Sequence, residues 1–160
     1  ARGFGMKIIY WGPRRKPEAE RELGMEHVSL ERLLTEADFV SLHPPLNAET
    51  HHMISDAQFA LMKPTAFIIN TARGAVIDEK ALVRALKKKR IAGAGLDVFE
   101  HEPKLPPALK TMKNVVLTPH LGSAVMEVRE QMANIVVDNL QALISGGTPP
   151  NCVNPQVLGR

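Results

Sequence analysis

Five short apolar runs constrain this chain more than any other feature: residues 7–11 (KIIYW), 39–43 (FVSLH), 66–70 (AFIIN), 92–98 (AGAGLDV) and 115–118 (VVLT). Each has strand length and carries β-branched or aromatic residues. They are apolar nearly throughout instead of alternating, which predicts strands buried on both faces, as in a parallel sheet covered by helices. Parallel strands need crossovers of a dozen residues or more, usually helical. The intervening segments supply them. The predicted fold class is therefore α/β, a doubly wound parallel sheet.

The helical segments carry their own punctuation. Residues 18–23 suit a helix ended by Gly24. Ser29 is placed to cap a short helix, with Arg32 where a capping box wants Glu or Gln. Ser55 opens a helix through Met62, closed by Lys63-Pro64. Asp78 caps residues 78–89, whose buried stripe is Ala81, Leu82, Ala85 and Leu86 and whose last turn is cationic. Residues 123–145 form a long helix with Val128, Met132, Ile135, Val136, Leu140 and Leu143 on or near one face, and Gly146-Gly147 ends it. Gly3 and Gly5 look like a helix end, so the sequence reads as part of a larger protein. The segment 148–160, with three prolines, is expected to be an extended tail leaving a domain spanning 1–147.

Composition narrows the function classes. The chain has 160 residues, 44% apolar and 23% charged, with a net charge of +3. The one dense basic run, residues 87–90, is read as a cationic helix end, and aromatics make up 4%, so no nucleic-acid platform is expected. No apolar stretch reaches membrane-spanning length, no signal-peptide pattern opens the chain, and Cys152 is the single cysteine. A cytoplasmic location is expected. His51 and His52 are adjacent residues expected to point to different sides, without a Cys or acid at ligand spacing, so no metal site is assigned.

Ligands of doubly wound sheets sit beyond the carboxyl ends of the strands. There stand Gly12 to Lys16, His43-Pro44-Pro45, Thr71-Ala72-Arg73-Gly74, Asp97 with Glu100, His101 and Glu102, and Pro119 to Ser123. Arg73 offers a planar fork of donors for a carboxylate. His120 titrates near neutrality and can pass a proton. Glu102 or Glu100 can pair with that imidazole. Gly74 permits close backbone approach beside Arg73. Arg, Glu and His on three successive strand ends suit acid–base work on a small anion.

Three motifs in this order, NTARGAVIDE (70–79), GAGLDVFEHEP (93–103) and PHLGSA (119–124), resemble the D-isomer-specific 2-hydroxyacid dehydrogenases, most of all the glyoxylate and hydroxypyruvate reductases. The resemblance runs over nearly the whole chain. It implies a Rossmann-like NAD(P)-binding domain, with Arg73 binding substrate carboxylate and carbonyl, His120 as proton donor, and Glu102 as its partner. Glu102 stands 29 residues after Arg73 and 18 before His120, as in the family, and is the acid before the motif's proline. Asp97 resembles the residue that meets the nicotinamide carboxamide. Pro44, Thr71 and Ala72 match positions lining the cofactor, and Gly122 and Ser123 flank the histidine. A homodimer formed through the cofactor domain is implied as well.

The chain departs from the family in carrying no G-x-G-x-x-G, in lacking a preceding strand and the substrate lobe, and in Val125, where relatives often have Thr. The 160 residues alone are therefore expected to be inactive. At the end of the first strand Gly12 replaces the acid that holds ribose hydroxyls in NAD-preferring relatives. Arg14 and Arg15 supply donors for a 2′-phosphate, so NADP(H) is expected over NAD(H). The non-enzyme alternative is a dinucleotide-sensing corepressor-like module; keeping Arg73, Glu102 and His120 together favours catalysis.

Overall fold

Parallel strands separated by short helices organise the computed structural model, which describes residues 1–158. Two compact units divide the chain, Ala1–Pro119 and His120–Arg160.

The first unit opens with a 3₁₀ turn, Arg2–Phe4, ended by Gly5 in the left-handed conformation at φ 67°. Next come β1 (Ile9–Tyr10), α1 (Pro17–Leu23), β2 (Glu26–His27), α2 (Leu30–Glu36) and β3 (Phe39–Leu42). After them run α3 (Asp56–Leu61), β4 (Phe67–Asn70), α4 (Glu79–Lys87), β5 (Gly93–Leu96), α5 (Pro107–Thr111) and β6 (Val115–Leu117). Strands β1 and β2 pair in parallel with each other. The other four form a parallel sheet in the order β3-β4-β5-β6.

Local chemistry explains the helix starts. Ser29 Oγ accepts from Arg32 N at 3.1 Å, and Asp78 Oδ1 accepts from Lys80 N and Ala81 N at 2.9 and 3.1 Å. Gln58 completes a capping box by accepting from Ser55 N at 3.1 Å. Arg32, in the position that a box would give to an acid, instead bridges Glu26 and Glu36. Ala81, Leu82, Ala85 and Leu86 of α4 are all buried, as the stripe predicts. The core also holds Leu34, Ile54, Phe59 and Ile68, each at most 1% exposed. Burying a side chain such as Phe59 contributes roughly 1.5–3 kcal/mol.

β3 and β4 are not buried on both faces, whereas β5 is buried at every position but the half-buried Gly95. In β3 alternate positions are exposed, in β4 Phe67 is exposed and Ile69 half-buried, and Phe39 and Phe67 stack on each other at 5.7 Å while remaining 57% and 38% exposed. The strand order gives the reason. Crossovers of one hand along an unreversed order deliver their helices to the same face, and α2, α3 and α4 pack side by side. β2 and α5 are additions to the expected elements; the sequence reading contained neither.

The second unit holds α6 (Met126–Ile144) and a 3₁₀ turn, Pro155–Leu158, where an extended tail was expected. Val125 occupies the N-cap of α6 without a side-chain hydrogen bond, the place where a threonine oxygen would cap. None of the α6 residues is buried. Asn139 Nδ2 reaches Asn151 Oδ1 at 2.9 Å and Asn151 N returns to Asn139 Oδ1 at 3.0 Å, tying the helix to the tail. Among the described residues no helix is long and apolar enough to cross a membrane.

Candidate active site

Register brings the strand ends together. Leu42 aligns with Asn70, Asn70 with Leu96, and Leu96 with Leu117, so His43, Thr71, Asp97 and Thr118 begin the loops along one edge of the sheet. Pro44, Thr71, Ala72 and Arg73 line a single open cleft with His43, Pro45 and Leu46. The loop after β4 is shaped by Asn70, which is 1% exposed. Its Nδ2 donates to Arg73 O at 3.0 Å and its Oδ1 accepts from Ala72 N at 3.0 Å. A buried amide satisfied on both sides fixes the backbone from which Arg73 projects. The sequence signal for this was an amide closing an otherwise apolar strand. Arg73 Nη1 itself donates to Ala72 O at 2.7 Å.

Asp97 follows β5 and accepts a hydrogen bond from Thr118 Oγ1 at 2.5 Å, linking the ends of two neighbouring strands. Glu102 Oε1 accepts from Phe99 N at 2.9 Å. Glu100 faces His52 instead, with its Oε1 2.8 Å from His52 Nε2. The two acids that the sequence left open for pairing thus have different surroundings.

Beneath this loop lies Glu79, which is 5% exposed and accepts from Glu100 N at 2.9 Å through Oε1. Burial pushes its carboxyl above the usual range, and Glu100 and Glu102 nearby add to the rise. A raised pKa means that the folded state holds its proton to higher pH than the unfolded chain does. The cost therefore grows as pH rises from the unfolded to the folded value, is complete above it, and vanishes in acid. Glu79→Gln keeps the acceptor and removes the charge, so the variant should be at least as stable as the parent at pH 7, with any advantage shrinking as pH falls towards 4. Glu79→Ala leaves Glu100 N without its acceptor and should cost about 1–3 kcal/mol at every pH. Urea denaturation across this pH range reads both; a Gln variant weaker than parent at neutral pH would refute the assignment.

Gly74 meets the expectation of a close backbone approach. A Cβ there would meet Phe99 C at 1.9 Å, Phe99 O at 2.1 Å and Glu100 N at 2.3 Å. The close approach is made by the chain itself, across the β4 and β5 loops.

The β1–α1 loop is pinned by a second network. Tyr10 Oη donates to Glu20 Oε1 at 2.7 Å and accepts from Lys16 N at 2.6 Å. Arg15 Nη2 donates to Glu20 Oε2 at 2.6 Å. Arg15 and then Tyr10 hold the Glu20 carboxyl down to about 2. The contribution of this group to stability is thus present above the ordinary carboxylate range and is lost as pH falls towards that value. Arg14, by contrast, makes no hydrogen bond or ion pair to the described residues. Gly12 has no atom within 4 Å of where a Cβ would stand, so the end of β1 is open.

In the second unit, His120 takes the left-handed conformation at φ 56°. Gly122 and Ser123 lie in the turn closed by Ala124 N donating to Leu121 O at 3.0 Å.

A parallel sheet whose neighbouring strand ends carry Arg73 beside an open cleft and the Asp97–Glu102 loop is the cofactor half of a dehydrogenase fold. The chain belongs to the D-isomer specific 2-hydroxyacid dehydrogenase family, whose NAD binding domain matches residues 1–122. It is 59% identical over 158 residues to a glyoxylate reductase of Thermococcus litoralis, covering 99% of this chain and 48% of that protein. It is 55% identical to the glyoxylate reductase of Korarchaeum cryptofilum, with 99% and 48% covered. Among solved structures it resembles a glyoxylate reductase from Paecilomyes thermophila, at a TM-score of 0.84 and 43% identity, covering 97% of this chain and 47% of that one. The NAD-complexed D-isomer specific 2-hydroxyacid dehydrogenase of Lactobacillus delbrueckii ssp. bulgaricus superposes at a TM-score of 0.80 and 34% identity, over 95% and 50%. The chain spans about half the length of these relatives.

Proposed function

We propose that residues 1–147 are the cofactor-binding portion, and 148–160 a tail returning towards a substrate lobe, of a reductase that turns glyoxylate or hydroxypyruvate into the D-2-hydroxy acid. The single observation that supports this most is the gathering of Arg73, Asp97 and the Glu102 loop in a chain so similar to glyoxylate reductases. A bound reduced nicotinamide supplies the hydride. Arg73 holds the substrate carboxylate with its guanidinium fork and polarises the carbonyl. His120 delivers a proton to the carbonyl oxygen, with the Glu102 carboxylate as its partner. Asp97 accepts from the carboxamide, and Pro44, Thr71, Ala72, Gly122 and Ser123 shape the walls around it.

The residues present fit the adenosine and nicotinamide ends of a dinucleotide. Gly12 leaves room for a ribose phosphate, and Arg14 has its donors uncommitted among the described residues. The pyrophosphate loop is not among these 160 residues, so the 160-residue chain is proposed to be inactive alone. In a protein of the relatives' length, the expected assay is loss of nicotinamide absorbance on adding glyoxylate or hydroxypyruvate. Cofactor binding without turnover would leave the dinucleotide-sensing reading instead. The apolar positions of α6, among them Met126 and Met132, are proposed as the surface of a homodimer.

Cofactor choice rests on the β1–α1 loop, with NADP(H) preferred over NAD(H). A charge-assisted contact is worth about 1.5–3 kcal/mol, so Arg14→Ala should weaken NADPH roughly ten- to a hundredfold while sparing NADH. Arg15→Ala should act less, since Glu20 already engages that guanidinium. Fluorescence titration with both nucleotides decides it, and equal losses for the two would discard the preference.

A further inference from the structure

We propose that His51, His52 and Glu100 form a binding site for one divalent transition-metal ion of the zinc, nickel or copper kind. The nitrogens of the two histidines and a carboxylate oxygen of Glu100 all lie within 4.8 Å of one another. Neighbouring side chains were expected to diverge, but His52 adopts the left-handed conformation at φ 51°, which turns the chain. The two imidazoles then stack with centroids 4.0 Å apart and planes at 25°. The acid missing from the local sequence comes from 48 residues away: Glu100 Oε1 stands 2.8 Å from His52 Nε2.

Both ligand-bearing segments are held before any ion arrives. His52 N donates to Ala75 O at 2.8 Å and His51 N to Asn47 O at 2.9 Å. Asn47 Oδ1 in turn accepts from Glu49 N and Thr50 N, both at 2.9 Å. On the other side, Glu100 N is fixed by buried Glu79. Donors placed in advance lose little freedom on binding. The Glu100 side chain is 16% exposed and that of His52 35%, so the ion is partly shielded while an entry path stays open past exposed His51.

The donor set selects the metal. Two imidazoles and one carboxylate suit a borderline ion at about 2.0–2.2 Å, with water completing the shell. Magnesium and calcium prefer six or more oxygen donors, which this cluster does not provide. The ion would take the place of the hydrogen shared between His52 and Glu100. His101 Nε2 lies 3.9 Å from the same carboxylate oxygen and stands ready as an outer partner. None of these side chains has a role in the proposed reduction, so the site stands apart from that reading.

Zinc chloride titrated into the 160-residue chain by calorimetry, with cobalt(II) absorption as a report of coordination, tests the site. One ion per chain with a Kd of about micromolar or tighter is expected. His51→Gln and Glu100→Gln should each weaken it at least about tenfold. His51 is exposed and its ring makes no hydrogen bond to the described residues, so His51→Gln separates loss of the site from loss of the fold. Magnesium at millimolar concentration should not compete. The proposal is overturned if no stoichiometric zinc is taken up. It is equally overturned if both variants bind as tightly as the parent, which would put the ion on other histidines or on Cys152.

Discussion

Replacing His120 by alanine in a protein of the relatives' length is expected to lower turnover of glyoxylate by about a hundred- to ten-thousandfold, the usual worth of a positioned proton donor. NADPH affinity should change little, because the proposed role of the imidazole is on the substrate oxygen. The backbone complicates the simplest substitution. His120 sits at φ 56°, where an alanine is strained, so a loss in His120→Ala alone would mix chemistry with conformation. Asparagine tolerates that region and cannot transfer the proton, which makes His120→Asn the cleaner variant. Both should show the same collapse of kcat. Turnover within tenfold of the parent in His120→Asn would remove the residue from the mechanism and with it the pairing proposed for Glu102.

Gly74→Ala is expected to cost about 3 kcal/mol or more, since the added methyl would overlap backbone atoms and not a yielding side chain. For a chain of this size that lowers the melting temperature by roughly 6–12 °C. The damage is directed. The atoms in the way belong to Phe99 and Glu100, and Phe99 N is the donor that holds Glu102 Oε1. Relief of the clash therefore moves the segment that carries Glu102, the proposed partner of His120, so whatever folded protein remains should lose activity as well. Gly12→Ala serves as the control, with no atom near its added carbon. A Gly74→Ala melting temperature within about two degrees of the parent would show that the loop yields freely.

What was legible in the sequence follows the range of the forces involved. Helix starts at Ser29 and Asp78 are written locally, because cap and capped amides lie within three residues. The buried stripe of α4 repeats with the helical period and was equally plain. β2 was not, since two polar residues carry no periodicity, and α5 hides behind Pro103, Pro106 and Pro107. The candidate site divides in the same way. Residue types and spacing marked Arg73 and Asp97, and the family resemblance separated Glu102 from Glu100. The contacts that hold them cross 21 residues between Glu79 and Glu100, and 48 between His52 and Glu100. No pattern within one segment could report these. Gly74 was singled out for close backbone approach, and the structure names the partner, the backbone of Phe99 and Glu100.

The two glycines at strand ends impose opposite histories on a lineage. Any side chain at position 74 meets backbone, so a substitution there is tested for folding before any chemistry. Position 12 faces open space on an ordinary backbone, and selection can visit acid, amide or glycine without endangering the fold. If that loop chooses the dinucleotide as proposed, the choice can change in few mutational steps while the Gly74 crossing keeps the acid-bearing loop fixed.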